Sequence, residues 1–207
     1  LLAGCGRSLP VVKGDSLVIS EERKLPAYTQ IRLECGADLV LTHGQVGNIT
    51  IKASQNMAPY VITEVSSGVL TVKMSPDFAY QFTKKLEICI PVDNSLTEIA
   101  VHGSGDISSH EQLQVKNLSC KVLGSGDMLL SLQAESLSFS VKGSGDMKIK
   151  GITQDLSVDI AGSGDFDGDA LQAKQATASI RGSGDVDLFV TEQLSADIRG
   201  SGDILRK

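Results

Sequence analysis

The feature that most constrains this chain is the tetrapeptide Gly-Ser-Gly-Asp. It occurs six times without change, at 103–106, 124–127, 143–146, 162–165, 182–185 and 200–203. From Asp to Asp the spacings are 21, 19, 19, 20 and 18. Recurrence at a period of about 20 means a stack of similar units. At ~3.3 Å per residue each unit has a perimeter of roughly 65 Å, which suits two or three short strands joined by tight corners. The segments between motifs are too short to hold a strand and a crossover helix. The expected fold class is all-β, a right-handed parallel β-helix (β-solenoid) with coils of about 20 residues. Less regular β-structure is expected in the N-terminal third.

The parity of the apolar residues sharpens this. In 137–149 one parity reads Leu137, Phe139, Val141, Gly143, Gly145, Met147, Ile149, and the other Ser138, Ser140, Lys142, Ser144, Asp146, Lys148. Period two marks half-buried strands. It places both glycines of each motif on the core side and Ser and Asp on the solvent side. Gly103, Gly105, Gly124, Gly126, Gly143, Gly145, Gly162, Gly164, Gly182, Gly184, Gly200 and Gly202 are therefore expected to be corners, where a missing Cβ relieves crowding. Inside columns follow: Val101, Val122, Val141, Ile160, Ile180 and Ile198 before the corner, and Ile107, Met128, Met147, Phe166, Val186 and Ile204 after it. A further column is expected at Leu113, Leu132, Leu171 and Phe189.

The same frame extends towards the N-terminus. Cys35-Gly36-Ala37-Asp38, Ile51 to Met57 and Val72 to Phe78 fit it as diverged copies, giving up to nine rungs with an insertion somewhere in 79–95. The competing view is antiparallel structure over 31–100, with hairpin turns at 44–47 and 66–68. The expected division is a tether over 1–24, then one domain over 25–207, with diverged coils at 25–102 and regular coils at 103–207.

Leu1-Leu2-Ala3-Gly4-Cys5 resembles the end of a bacterial lipoprotein signal. Cleavage before Cys5 would make its thiol the lipid attachment point, and such a segment stands outside the fold. An exported, membrane-anchored lipoprotein of the outer membrane or cell surface is the expectation. The chain contains no apolar run long enough for a membrane-spanning helix.

With these features together, the sequence resembles the bacterial auto-transporter adhesin family with the head GIN domain. The resemblance rests on the Gly-Ser-Gly-Asp rungs, on Asp38 to Leu41 followed by Gly44, and on Gly68-Val69-Leu70. It covers roughly 25–203. It implies a β-helical surface lipoprotein and adhesion, without a defined biochemical activity.

Six aspartates, Asp106, Asp127, Asp146, Asp165, Asp185 and Asp203, are expected to stack on the outer face. Three arrangements would relieve their repulsion, which is about 1 kcal/mol per pair in water. These are hydrogen bonds to backbone N–H, ion pairs with Lys142, Arg181 and Arg199, or bound Ca²⁺, a hard cation that takes oxygen ligands. Asp167, Asp169 and Asp187 add acid density. A β-helical polysaccharide lyase or hydrolase would need one exceptional carboxylate site. Here the carboxylates are periodic, and His43, His102 and His110 stand alone. The cysteines form no Cys-x-x-Cys pattern, so Cys35 and Cys120 read as small core residues. A net charge of −6 removes nucleic acid as a partner.

The leading reading is thus a non-enzymatic surface adhesin or binding module, with no catalytic residue and no required cofactor. A Ca²⁺- or glycan-binding solenoid is the alternative. An unknown protein or glycan partner is implied. The last coil ends on Ile204 to Lys207, so an oligomer, or shielding by Arg206 and Lys207, is expected there.

Overall fold

The computed structural model describes residues 9–207. Cys5 and the rest of the lipoprotein-like segment lie outside the described residues. From Glu98 onward the chain is a parallel β-solenoid. The strands before the corners, Glu98–Gly103, Asn117–Gly124 and Ser136–Gly143, stack in parallel with Asp155–Gly162, Gln175–Gly182 and Gln193–Gly200. The strands after the corners do the same, from Ile107–Gln114 through Met128–Gln133 to Ile204–Arg206.

Register is strict across the corners, with Gly103, Gly124, Gly143, Gly162, Gly182 and Gly200 each aligned to the next. The aliphatic residues fill the interior as parity requires. Val101, Val122, Val141, Ile160 and Ile180 are buried, as are Ile107, Met128, Met147, Phe166 and Val186. Phe139 and Phe166 meet in the core with centroids 5.0 Å apart.

One expected column is corrected. Phe189 aligns with Gln172, and Val190 with Ala173. Phe189 is therefore partly exposed, whereas Val190 and Ala173 are buried. The coil after Asp185 is shorter in this segment than the coil after Asp165, and the lost residues shift the parity.

The N-terminal part is built differently. Gln30–Leu33 and Asp38–His43 form a genuine coil, stacked directly under Glu98–Gly103 and Ile107–Gln114. The expected rung at 72–78 is real on its first side, because Val69–Met74 lies parallel to Gln30–Leu33. Its second side is Glu87–Val92, parallel to Asp38–His43. The insertion therefore falls between Met74 and Glu87. The expected rung at 51–57 is not one. Asn48–Ser54 runs antiparallel to both Val18–Lys24 and Glu87–Val92. It closes the solenoid end rather than extending it.

The chain consequently does not visit its layers in order. Glu87–Val92 sits between Asp38–His43 and Asn48–Ser54, so 44–47 does not join paired strands. The turn at 66–68 is a hairpin, as expected: Val61–Ser66 pairs antiparallel with Val69–Met74. Ser67 and Gly68 carry φ of 50° and 79°, the two positive values that a tight hairpin needs. After Val92 the chain crosses the 30–43 coil to start the regular stack. Thr97 bridges the two, donating to Thr29 O and accepting from Ser119 N–H.

The last coil is half covered. The Arg206 guanidinium donates to Val190 O and Glu192 O, and Lys207 pairs with Asp169. Ile198, whose counterparts below it are buried, is 43% exposed.

Candidate functional site

The Gly-Ser-Gly-Asp corner is the repeated constellation, and its two glycines do different work. The second one is buried in every corner. A Cβ on Gly145 would lie 2.1 Å from Gly126 O and 2.8 Å from Val122 Cγ1. No side chain fits at those distances. The first glycine is not on the core side, which corrects the parity reading: Gly143 is only half-buried. It has φ of +142°, and a Cβ there would lie 2.1 Å from Gly124 O. A turn out of the strand has interrupted the alternation. From Gly124 onward both positions must be glycine because each corner stacks backbone on backbone with the one before.

That close approach forms hydrogen bonds. Ser144 N–H and Gly145 N–H both donate to Gly124 O, at 2.9 and 3.2 Å, and the same fork recurs at 125–126 and 163–164. The aspartates complete it. Asp127 N–H donates to Asp106 Oδ1 at 2.9 Å. Asp146 N–H donates to Asp127 Oδ1, Asp165 N–H to Asp146 Oδ1, Asp185 N–H to Asp165 Oδ1 and Asp203 N–H to Asp185 Oδ1, each at 2.8 Å. Each carboxylate from Asp106 to Asp185 thus receives the corner N–H of the following coil. This is the first of the three expected arrangements, with the bond made between coils rather than within one.

The expected ion pairs go elsewhere. Arg181 forms a two-pronged pair with Asp159 at 2.7 and 2.8 Å, and Arg199 pairs with Asp197 at 3.1 Å. Neither reaches the corner aspartates. Among the described residues, no group of three or more His, Cys, Asp or Glu side chains is placed to hold a metal ion.

The additional acids form a second outward row. Asp167 is paired with Lys148, and that hydrogen bond holds its carboxyl below the usual range. Asp187 aligns with it one layer on. Partial burial, then the charges of Asp169 and Asp167, push the Asp187 carboxyl up. Asp38, Glu87, Asp106, Asp127 and His110 line a hollow of about 400 Å³, in which Lys85 lies 2.8 Å from Asp38. His43, His102 and His110 are all exposed. Two thiols are quiet: burial pushes Cys35 up to about 11 and Cys120 up as well, far from a reactive thiolate.

The outer face before the corners is flat and polar. Ser119, Ser138, Ser157, Thr177 and Ser195 form one aligned outward row, and Asn117, Ser136, Asp155, Gln175 and Gln193 another. A shallow groove of about 240 Å³ runs along them between 136 and 195. These rows lie outside the corners that the repeat marks. Their signal is small or amide polar residues, with Asp155, at five and seven residues before the last five Gly-Ser-Gly-Asp motifs.

Half of the chain's eight aromatic side chains also gather in one place. Tyr60 stacks on Phe78 and Tyr80 at 4.8 and 5.9 Å, and Tyr80 on Phe82 at 6.4 Å. All four come from the irregular N-terminal part, Tyr60 from the 3₁₀ turn Ala58–Tyr60 and the others from the insertion.

The stacked corners and flat faces define a parallel β-solenoid repeat protein. The chain belongs to the family described as "Putative auto-transporter adhesin, head GIN domain", whose sequence model matches residues 27–207. Among curated proteins no sequence matches it. Several solved structures share the fold. One, described as a putative adhesin from Bacteroides fragilis, is 20% identical with a TM-score of 0.82, covering 95% of this chain and 100% of its own. A protein from Parabacteroides distasonis described as a putative lipid binding protein is 21% identical with a TM-score of 0.75, covering 95% and 99%. A putative adhesin from the same species is 20% identical with a TM-score of 0.70, covering 95% and 100%.

Proposed function

We propose that this protein is a non-enzymatic, lipid-anchored surface adhesin whose solenoid presents its flat polar face to an extended partner. The observation that carries the reading is the uniform row Ser119, Ser138, Ser157, Thr177 and Ser195 on an uninterrupted parallel sheet. Repetition at a constant spacing suits a partner that itself extends over many ångströms. Catalysis would need one departure from the repeat, with an acid and a base poised around a cleft. The corner carboxylates from Asp106 to Asp185 instead each accept a backbone N–H from the next coil. Family membership supports adhesion. Lipid attachment at Cys5 would hold the solenoid at the outer membrane or cell surface.

The test is display of the chain on a non-adherent bacterial host, with retention measured on mucin-coated and uncoated surfaces. Retention on mucin is expected, and Ser157→Arg with Thr177→Arg should reduce it at least tenfold without changing the melting temperature. Adhesion unaffected by this pair, or depolymerisation of polysaccharide by the purified protein, would contradict the reading.

A further inference from the structure

The irregular end of the molecule exposes apolar side chains that the fold does not need. Leu9, Val11, Leu17 and Val18 are 50%, 65%, 57% and 47% exposed, and Phe82 is 38% exposed. They lie together. The strap 9–18 is laid along the insertion, with Val11–Lys13 parallel to Ala79–Gln81. The Thr83 hydroxyl, next to Phe82, donates to Gly14 O and Asp15 O. Leu17 O accepts from Gln55 N–H, and Asn56 donates to Lys13 O. The strap is thus fixed by backbone bonds while its large apolar side chains face out. Exposed apolar side chains concentrated at one end mark an interaction surface.

Three observations choose its occupant. First, the aromatic rings beside it are tilted against one another by 55–60° for the Tyr60, Phe78 and Tyr80 set. Rings in that arrangement pack on each other and offer no common plane to a sugar. Second, exposed Lys13 and Lys84 flank the apolar side chains, the pattern of long cationic stems at a membrane interface. Third, Leu9 is only four positions along the chain from Cys5. Such a length of chain reaches at most about 14 Å, so a lipid on Cys5 would hold this surface within that distance of the bilayer.

We propose that Leu9, Val11, Leu17, Val18 and Phe82 form a membrane-facing surface that seats the irregular end of the solenoid in the lipid interface. This rests on the lipid-anchored reading of Cys5. Seating the end fixes the solenoid's orientation and keeps its polar face and last coils clear of the lipid.

The chain has no tryptophan, so single reporters can be introduced. Phe82→Trp and, as a distant control, Phe189→Trp would be placed in a Cys89→Ser background. Each full chain would be coupled through Cys5 to a maleimide lipid in phosphatidylethanolamine–phosphatidylglycerol vesicles containing brominated acyl chains. The expected result is quenching and a blue shift for Phe82→Trp and neither for Phe189→Trp. Adding Val11→Asp and Leu17→Asp should reverse the quenching, since loss of each apolar contact weakens insertion roughly tenfold. Equal emission from the two reporters on vesicles would overturn the proposal. So would a concentration-dependent blue shift of Phe82→Trp without vesicles, which would assign the surface to a second copy. Acylation itself is read separately, by the mass of the N-terminal peptide from membranes and its loss in Cys5→Ser. A failure there removes the anchor and leaves the vesicle result readable.

Discussion

The two ends of this solenoid use the same core and different corners. In both, aliphatic residues of one parity fill the interior, from Leu33 and Leu39 to Ile180 and Val186. In the regular stack each corner lies on the backbone of the one before, and a Cβ at Gly124, Gly143 or Gly162 would fall 2.1–2.3 Å from a carbonyl oxygen. In the coil 30–43 the corner is Cys35-Gly36-Ala37-Asp38, which carries side chains at both positions where the later corners carry glycine, while Gly36 takes the serine position beside Ser104 Oγ. Below that coil the corner no longer repeats, and side chains take over. The Arg23 guanidinium donates to Val61 O, Ala58 O and Thr63 Oγ1 at 2.6, 3.1 and 3.2 Å. The Tyr28 hydroxyl donates to Pro91 O at 2.7 Å. Repetition needs only one corner solution, whereas closing an end needs a set of bonds particular to it.

The comparison can be broken most sharply by paired substitutions. Gly145→Ala should destabilise by more than about 3 kcal/mol or prevent folding, because backbone and Val122 oppose the new methyl. Its counterpart in the first coil, buried Ala37, already carries that methyl, and Ala37→Gly should cost only about 1 kcal/mol. Urea denaturation of both variants would show it, and equal effects would remove the distinction. Next in size, Arg23→Ala should cost about 2 kcal/mol, since three acceptors lose a charged donor. Its loss should appear as early unfolding of 18–66 in limited proteolysis, with the regular stack intact.

A smaller effect is expected from charge along the Asp row. Asp146→Asn keeps an acceptor for Asp165 N–H and removes one charge from a like-charged row. Thermal melts should show it neutral or slightly stabilising at low salt, with the difference shrinking at high salt. Millimolar Ca²⁺ should leave the wild-type melting temperature unchanged.

The smallest effect concerns Asp167 and Asp187, which shift in opposite directions. The depressed Asp167 carboxyl adds stability above the ordinary carboxylate range, lost as pH falls through its folded value. The raised Asp187 carboxyl costs stability as pH rises through the ordinary range to its folded value. Asp167→Asn should therefore lower the melting temperature at pH 7 and Asp187→Asn should raise it. Both differences should vanish well below pH 4.

The sequence makes much of the regular stack legible, because a repeat reports its own register. Val101 to Ile180 and Ile107 to Val186 follow directly from counting to the glycines. Three features escaped for physical reasons. The positive φ at the first glycine reverses parity for one residue, so Gly143 was placed in the core. A shortened coil moved Phe189 outward. The antiparallel Asn48–Ser54 has the same alternation as a rung, since period two records burial and not strand direction. The crossing of layers at 93–97 leaves no mark in any single strand. At the site, the Asp row and one of its three expected arrangements were readable, but the direction of the bonds between coils was not. The aromatic gathering was hidden because 4% aromatic content says nothing of where the rings meet.

The central claim is that each corner is held by the carboxylate of the coil before it, in one direction along the stack. Amide hydrogen exchange, resolved by residue, tests this in Asp146→Ala. The account predicts that protection is lost at Asp165 N–H, whose acceptor is Asp146 Oδ1, and kept at Asp127 N–H, whose acceptor is Asp106 Oδ1. Loss at Asp127 instead, or unchanged protection at Asp165, would contradict it.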